Sequence, residues 1–490
     1  MKLYERIMEL AFTRLIFYPS NEVYGSTSGF YDFGPVGSLI KKKIIEEWRR
    51  TFIKKHGFHE VEGSIVTPEI VLKASGHVDE FTDPVVECQN CKAKVRADKL
   101  LEEKGIPFKN LEDIKEKIKD VKCPRCGKPL GDDVYLINLM FSTNIGYDGL
   151  KAFLRPETAQ SIFTSFPRNF RNLGGKLPLI IAQVGKSFRN EISPRQALVR
   201  LREFTQMEIE YFFDPERQDD EMLYNEVKNK RFRIKLRGEK EPRFITVEEF
   251  KEKVMSNDAM AFFLAKEWEF YTSLGLNEEK MWFRHLSKEE TPHYSKGNID
   301  LEVETSYGIV EIAGNAYRTD YDLRRHQEFS KKNFEVNIGK KFIPHVVEAS
   351  MGVERLFFCL LEHSYRPKSK DKEWEWFDLN PRIAPYEVAV YPLVRKDGLN
   401  EIASSIAKTL REEFDVYYKE SGSIGRRYAK ADEIGVPYAI TIDYQTKEDN
   451  TVTIRYRNDG KQERVSVNDL VEKIKENLKE GRRNLDNNLS

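Results

Sequence analysis

The stretch GKSFRNEISPRQALVRLREFTQMEIEYF, residues 185–212, decides the fold. Apolar and polar residues alternate along it as in two β-strands, although the segment is highly charged. It contains four arginines and four glutamates. Alternate side chains of a strand share a face, so pairing its two halves antiparallel predicts one apolar face and one charged face. The charged face of the second half holds Arg202, Phe204, Gln206, Glu208 and Glu210.

A charged strand face has two interpretations. It is either a solvated surface with salt bridges or the floor of a ligand site, and the phenylalanine and glutamine among its charges favour the ligand site. A phosphate-binding P-loop is excluded, although Gly185-Lys186-Ser187 ends like one, because that motif requires glycine where Ile180 stands.

The bulk composition narrows the class of protein. A chain of 490 residues favours about two or three domains. Lysine plus arginine (80) equals aspartate plus glutamate (80), so net charge indicates no nucleic-acid partner and any basic surface must be local. The N-terminal residues are interrupted by charges, and no apolar run approaches the length of a membrane span. We therefore expect a cytoplasmic protein without a membrane partner.

Outward from the hairpin, the pattern predicts further elements. Residues 37–56 have helical periodicity and precede a strand that ends at Pro68. A second antiparallel block covers 298–325, and 345–363 is typical of a strand leading into a helix. Residues 214–280 are charged and mixed, as in an inserted subdomain. From about 381 strands alternate with helices, which predicts a compact α/β domain with a largely parallel core.

Four of the five cysteines form two pairs, Cys88-x-x-Cys91 and Cys123-x-x-Cys126. This spacing is typical of a tetrahedral zinc ion, and four thiolates leave no open position, so the predicted site is structural. The insert spans about 88–130, with a charged helix between the pairs. Four unrelated buried cysteines are the alternative. Cys359 lies on an apolar helix face and is predicted to be core.

Three segments together resemble the signature motifs of class II aminoacyl-tRNA synthetases. Phe188-Arg189-Asn190-Glu191 followed by Arg202-Glu203-Phe204 resembles motif 2, and 345–363 resembles motif 3 with Gly352 to Arg355 opening its helix. Residues 37–68 resemble motif 1, which builds a dimer interface. The resemblance implies an α+β fold in which ATP and Mg²⁺ bind over an antiparallel sheet with flanking helices.

The resemblance also implies roles. Arg189 would hold the α-phosphate, Arg355 the γ-phosphate, and Phe204 would stack under adenine, which agrees with the preference of phosphate for guanidinium and of a base for an aromatic face. Glu191 would bind the adenine amino group, and Glu311 is the better magnesium ligand, ahead of Glu348. The catalytic residues are then Arg189, Arg355 and Glu311; the full ATP set is Arg189, Asn190, Glu191, Arg202, Glu203, Phe204, Glu311, Ile312, Gly352 and Arg355.

Within this class the chain resembles the homodimeric, archaeal and eukaryotic-like glycyl-tRNA synthetases over nearly its whole length. The matching segments are VRAD (95–98), RPETAQ (155–160), EIAG (311–314), RTDYDL (318–323), SIGRRY (423–428) and DEIG (432–435). Two positions depart from that family, Ala349 and Glu354, and neither has an assigned role. The resemblance implies a glycine site made of Arg96, Glu157, Phe204, Gln206, Glu208, Arg318, Glu348 and Ser350.

The implied activity is activation of glycine with ATP and its transfer to tRNA(Gly), with synthesis of diadenosine tetraphosphate as a side reaction. The implied domains are a catalytic domain (1–380) with the zinc insert and the 214–280 subdomain, and an α/β anticodon-binding domain (381–490). There, Arg426, Arg427 and Lys430 form either a basic patch for RNA phosphates or a solvated helix face.

Two alternatives stay open at the sequence level. A threonine or proline synthetase would share the motifs but not RPETAQ and the pocket acids. A catalytically inactive relative, such as an accessory subunit of a DNA polymerase, would be expected to lose Arg189, Glu191 or Arg355, and all three are present.

Overall fold

The structure is a computed structural model that describes residues 2–131, 133–192, 194, 198–288, 290–291, 295–370 and 372–487. In this part of the chain, none of the helices combines the length and the apolar character that crossing a membrane requires.

Helices and strands alternate along the chain. The helices α1 to α16 are Leu3–Thr13, Pro35–Trp48, Glu69–Ala74, His77–Glu80, Ala97–Glu103, Leu111–Ile118, Ala159–Asn172, Glu221–Val227, Val247–Lys253, Asp258–Leu274, Tyr321–Ser330, Val353–Ser364, Leu399–Leu410, Ile424–Glu433, Tyr444–Asp449 and Leu470–Asn487. The strands β1 to β26 are Phe17–Pro19, Tyr31–Phe33, His59–Glu60, Val66–Pro68, Thr82–Glu87, Lys94–Arg96, Val134–Asn138, Phe141–Ile145, Leu150–Leu154, Leu179–Phe188, Glu203–Phe213, Arg231–Lys235, Arg243–Thr246, Met281–His285, Asn298–Thr305, Gly308–Thr319, Val336–Asn337, Lys341–Phe342, His345–Gly352, Tyr365–Arg366, Trp376–Phe377, Val388–Pro392, Val416–Tyr418, Tyr438–Ile442, Thr451–Tyr456 and Gln462–Ser466.

A nine-stranded sheet in the order β13-β12-β14-β15-β16-β19-β11-β10-β3 forms the centre of the molecule. The predicted hairpin is confirmed: β10 and β11 pair antiparallel, with Gln183 opposite Glu208 and Gly185 opposite Gln206. The strand of the motif 3 segment, β19, lies between β11 and β16 and is antiparallel to both. Strands distant in sequence are thereby brought side by side.

One face of this sheet is the main apolar core. Met207, Ile209 and Tyr211 of β11 point into it, as the alternation predicted. Helix α10 packs there, and its residues are almost all buried, Phe262 and Phe263 among them; a helix that is apolar on most sides belongs in a core.

The predicted helix at 37–56 consists of α2 and a π-helical continuation, Arg49–Lys54. Its apolar stripe is confirmed, since Ile44 and Trp48 are fully buried. The helix also packs closely against the backbone near its start. A Cβ atom at Gly37 would lie 1.8 Å from the Ile16 carbonyl oxygen, so only glycine permits this approach.

Two parts flank the central sheet. Strands β6, β5 and β7 form a small sheet that packs with α5 and α6 around a separate core containing Cys88 and Cys123; α6 is the helix expected between the cysteine pairs. Residues 214–280 contribute β12 and β13 to the edge of the central sheet and helix α10 to its core.

The C-terminal part is a five-stranded sheet in the order β23-β22-β24-β25-β26 with its own core. The expected parallel arrangement holds for β23, β22 and β24, whereas β25 and β26 pair antiparallel. The prediction of alternating helices and strands is confirmed, and that of a largely parallel core is correct for three strands only.

Candidate active site

A cavity lies over the polar face of the central sheet, across β11, β19, β16 and β15. Among the predicted residues, those lining it are Glu157, Arg189, Glu191, Phe204, Gln206, Glu208, Glu311, Ile312, Glu348, Ser350, Gly352 and Arg355. Strand register explains why they meet. Gln183, Glu208, Ser350, Gly314 and Asp300 occupy one row across five adjacent strands, although they span more than a hundred residues of sequence.

One end of the cavity combines cations with an aromatic ring. Arg189 follows β10 and lies with its guanidinium carbon 5.3 Å from the ring centre of Phe204. Its Nε donates a hydrogen bond to the Pro156 carbonyl at 3.2 Å. Arg355, at the start of α12, donates to the carbonyls of Val199 (3.0 Å) and Glu311 (2.9 Å). Backbone oxygens orient both guanidinium groups. Arg355 also forms a loose ion pair with the Glu311 carboxylate at 3.5 Å, with which a bound anion would share the guanidinium.

The centre of the cavity is acidic, and Glu208 is the best-anchored carboxylate. It is 2% exposed and accepts hydrogen bonds from the Thr158 backbone (3.0 Å), the Ser350 hydroxyl (2.8 Å) and the Gln206 amide (2.7 Å). Burial and the neighbouring charge of Glu157 raise the pKa of Glu208. Because the side chain is held on several sides, its position does not depend on a ligand.

Arg318 lies behind these carboxylates and does not line the cavity. Its Nη1 donates to Glu348 at 2.7 Å, and Nε and Nη2 donate to Asp322 at 2.8 and 2.9 Å. Burial raises the pKa of Glu348 to about 7, and Arg318 opposes that rise. Against the effect of burial, His77 and Arg318 hold the pKa of Glu157 below its usual range. Arg318 therefore keeps several acids together in a small volume.

Glu210 lies one row beyond Glu208, opposite Glu348. It is fully buried, and neither carboxyl oxygen has a hydrogen-bond partner in the described part of the chain. Burial and the adjacent Glu348 raise the pKa of Glu210 well above its usual value. The raised pKa disfavours the charged form of Glu210, and this limits the negative charge beneath the cavity.

The RPETAQ segment supports the hairpin from below. Arg155 is 4% exposed, and it donates to the Lys186 carbonyl (2.8 Å), the Gly63 carbonyl (3.0 Å) and the Gln183 side chain (3.1 Å). A Cβ atom at Gly185 would lie 2.1 Å from Arg155 Nη2. The glycine that resembled a P-loop therefore makes room for this arginine.

Several predicted site residues lie outside the cavity. Arg96 forms ion pairs with Asp83 at 2.9 Å and Asp98 at 2.5 Å, and the cavity lining does not include it. The other predicted residues that do not line the cavity are Arg318, Asn190, Arg202 and Glu203. Arg202 donates to the carbonyls of Glu191 and Ser28, and Glu203 pairs with Lys186 at 3.0 Å.

Glu354 has a structural role that sequence reasoning missed. It is 2% exposed, accepts hydrogen bonds from the Thr205 backbone (2.7 Å) and hydroxyl (3.0 Å), and pairs with Lys41 of α2 at 2.5 Å. It thus ties the start of α12 to β11 and α2, next to Phe204 and Arg355. The available signal in the sequence was that a glutamate at position 354 departs from the family pattern of motif 3.

The cavity also includes Asn298, Asp300 and Gly314, which sequence reasoning did not assign. The available signal was the alternation of Asn298 and Asp300 in a predicted strand. Burial and the nearby Glu311 raise the pKa of Asp300 to about 8.

The four paired cysteines come together in the small insert, and their sulfur atoms all lie within 4.8 Å of one another. The Cys88–Cys126 and Cys91–Cys123 sulfur distances are 3.6 and 3.7 Å. A tetrahedral zinc ion with bonds of about 2.3 Å separates its sulfur ligands by about 3.8 Å, so this cluster fits such an ion. Cys359 is fully buried in the main core, as predicted.

Neither alternative for the C-terminal arginines, a basic patch or a solvated helix face, is correct for Arg427. This residue is 3% exposed and donates hydrogen bonds to the carbonyls of Pro392 (2.6 Å) and Leu393 (3.1 Å). Arg426 and Lys430 of the same helix are exposed. The helical period places Arg427 on the inner face of α14, where backbone carbonyl oxygens accept the hydrogen bonds that water would otherwise accept.

Two family models match the chain. Residues 147–364 match the tRNA synthetase class II core domain (G, H, P, S and T), and residues 387–477 match an anticodon binding domain. The fold, the cavity and these matches define a class II aminoacyl-tRNA synthetase.

Relatives with nearly full coverage specify the family. A glycine–tRNA ligase of Methanocaldococcus jannaschii is 39% identical over 98% of this chain and 99% of the relative. This chain is also 38% identical to the glycine–tRNA ligase of Aeropyrum pernix, over 98% of each chain. It is 39% identical to that of Pyrococcus horikoshii, over 96% of this chain and 98% of the relative. The chain belongs to the glycine–tRNA ligase family.

Proposed function

We propose that the cavity condenses ATP with glycine and that the product is transferred to tRNA(Gly). The observation that carries the proposal is the immobilised Glu208, with Ser350 bonded to it and Glu157 and Glu348 beside it. A small ammonium group fits this cluster, because several fixed carboxylates attract and orient a cation. Glycine has no side chain to bind, so its recognition rests on this charge and on limited space.

ATP is assigned to the other end. Arg189 is the ligand of the α-phosphate and Arg355 that of the γ-phosphate, while the ring of Phe204 lies under adenine. Glu191 lines the same end, beside Arg200. Magnesium accompanies the nucleotide, and Glu311 is the residue to hold it, because its side chain is 52% exposed and pairs only loosely with Arg355, at 3.5 Å, whereas Glu348 accepts a hydrogen bond from the buried Arg318 at 2.7 Å.

The first step needs no general base. The glycine carboxylate is ionised at neutral pH and attacks the α-phosphorus, and pyrophosphate leaves on the opposite side. The residues act by positioning the two reactants and by stabilising the negative charge that develops on phosphate. A preorganised guanidinium such as Arg189 suits that purpose because Pro156 already orients it.

Further assignments rest on the family and on local geometry. The four cysteines hold a structural zinc ion that stabilises the 88–130 insert. Residues 1–380 carry out activation, and 381–490 bind tRNA. Residues 37–68 are assigned to a homodimer interface; the single strand expected to end at Pro68 is instead two short strands, β3 and β4, in different sheets. When tRNA is absent, the γ-phosphate of a second ATP would attack the phosphorus of the glycyl-adenylate, releasing glycine and yielding diadenosine tetraphosphate.

Exchange of radiolabelled pyrophosphate into ATP tests the proposal. Glycine should stimulate exchange, whereas threonine, proline, alanine and serine should not. Arg189→Ala should lower the glycine-dependent rate by about 100-fold or more, as loss of a preorganised charge does. Arg171→Ala is the matched control, because Arg171 is exposed on α7 and outside the cavity.

Each result separates the candidates. Stimulation by threonine or proline instead of glycine would identify a sister synthetase, and no exchange with any amino acid would favour an inactive relative. Near-normal exchange by the Arg189 variant would refute the phosphate assignment.

A further inference from the structure

Asn298 and Asp300, on strand β15, line the cavity on the side away from the hairpin. They are two residues apart and therefore share a strand face, while Ile299 and Leu301 point into the main core. Asn298 is 9% exposed and the Asp300 side chain 13%. Neither has a part in the glycine or ATP sites proposed above.

The sheet leaves open space between these residues and the glycine site. Asp300 lies in the same row as Gly314, Ser350 and Glu208, about 10 Å from Ser350 by strand spacing. Gly314 occupies the strand between them. A Cβ atom at Gly314 would contact only Asp300 Oδ1, at 3.6 Å. A ligand can therefore lie over this glycine and contact both sides.

Both side chains keep oxygen atoms that no hydrogen bond occupies in the described part of the chain. The buried Oδ1 of Asn298 has no hydrogen-bond partner among the described residues. Among the described residues, Asp300 forms an ion pair with Arg284 at 3.8 Å, which is longer than a hydrogen bond. Leaving buried polar oxygens unpaired is costly, so the ligand that belongs here carries adjacent hydroxyls, which can donate to the Asn298 oxygen and either donate to or accept from the Asp300 carboxyl. The cis hydroxyls of a ribose have this pattern.

The position distinguishes between two riboses. Phe204 and Asp300 are separated by three strand spacings and by four residues along the strand, which places their Cα atoms about 20 Å apart. The ribose of an adenine stacked on Phe204 is bonded directly to that base and lies near it. A second ribose, arriving beside the carbonyl carbon of the glycyl group, fits the position of Asn298 and Asp300.

We propose that Asn298 and Asp300 form a subsite for the hydroxyls of the terminal ribose of tRNA, and that they position its attacking oxygen beside the glycyl group. This inference rests on the proposed glycine activation. It assigns to β15 a part in the second step of the reaction, whereas the hairpin serves the first.

The test separates the two steps in the full-length protein. Glycyl-adenylate is formed on the enzyme, and its transfer to tRNA is followed in a single turnover, beside pyrophosphate exchange with ATP and with 2′-deoxy-ATP. Asp300→Ala and Asn298→Ala should each lower transfer at least about 10-fold more than exchange, the usual cost of a hydrogen bond to a charged or buried group. Glu304→Ala, exposed on the same strand, is the control and should change neither.

A second arm uses wild-type enzyme with tRNA that ends in 2′-deoxyadenosine. If the hydroxyl contacts Asp300, transfer to this tRNA falls, and Asp300→Ala lowers it little further, since interacting partners are non-additive. Full additivity of the two changes would overturn the proposal. Two results with the Asp300→Ala enzyme would also overturn it. If exchange falls with ATP but not with 2′-deoxy-ATP, the ribose at Asp300 belongs to ATP. If exchange requires more magnesium than in the wild-type enzyme, the residue belongs to a cation site. A wild-type enzyme without glycine-dependent exchange would instead refute the proposed function.

Discussion

Replacing Arg318 by methionine removes the cation that holds the carboxylates behind the glycine site. The side chains of Arg318 and Asp322 are 3% and 1% exposed, and that of Glu348 is 11% exposed, so water cannot compensate the charges left behind. Removing one partner from a buried ion pair costs about 3–5 kcal/mol. We expect the free energy of unfolding of Arg318→Met to fall by about this amount at pH 8.

The loss should diminish at lower pH. Burial already raises the pKa of Glu348 to about 7, and without the guanidinium it rises further, whereas in the unfolded chain it is about 4.3. Between these values the folded state binds more protons than the unfolded chain, so stability falls as pH rises through the interval. Each additional pKa unit adds about 1.4 kcal/mol to the loss at high pH.

Urea unfolding at pH 5.5 and pH 8, followed by tryptophan fluorescence, measures both effects. Arg324→Met is the matched control, because Arg324 lies in the same part of the chain, its side chain is 57% exposed, and it pairs with Asp320. An exposed pair contributes at most about 1 kcal/mol. A loss for Arg318→Met as small as that of the control, or a loss that grows as pH falls, would refute the reasoning.

Two other predictions concern the zinc cluster and a buried acid. Cys123→Ser should bind no zinc by atomic absorption, whereas the parent protein and Cys359→Ser should each bind a single ion per chain, because a structural ion needs all four thiolates; a parent protein without zinc, purified without chelator, would contradict the cluster. Burial raises the pKa of Glu267 to about 8, so the native state keeps a proton that the unfolded chain releases above about pH 4.3, and stability falls as pH rises between these values. Glu267→Gln, which cannot titrate, should therefore become more stable relative to the parent from pH 5 to pH 8 in urea unfolding, and a difference independent of pH would show that the proton is absent.

Much of the fold follows from local patterns. The period of two in residues 203–213 predicted which side chains of β11 face the core, and Met207 and Ile209 lie there. The helical stripe of α2 was predictable in the same way. The cysteine spacing predicted the cluster, because two short turns of similar geometry bring four sulfur atoms together.

The site depended more on contacts between distant segments. Arg96 was expected in the glycine site; it pairs with Asp83 and Asp98, close enough to Glu191 of the cavity lining to interact with its charge, without lining the cavity itself. Arg318 was expected in the glycine site; it lies behind the acids, where it contacts Asp322 and the cavity-lining Glu348. Asp98 and Asp322 are close to their arginines in sequence, whereas Asp83 and Glu348 lie 13 and 30 residues away on other strands and are brought near by the fold.

The sequence by itself determined the class of chemistry. The alternation of polar and apolar residues, the motif residues and the cysteine pairs are all local patterns, and local backbone geometry decides which side chains share a face. What only the tertiary structure decided is which of those side chains are buried, paired or free to bind a ligand. Asp300, Gly314, Ser350 and Glu208 form one row because β15, β16, β19 and β11 pair in that register. That register is set by packing of the whole sheet against its core, and burial and charge at the site follow from it.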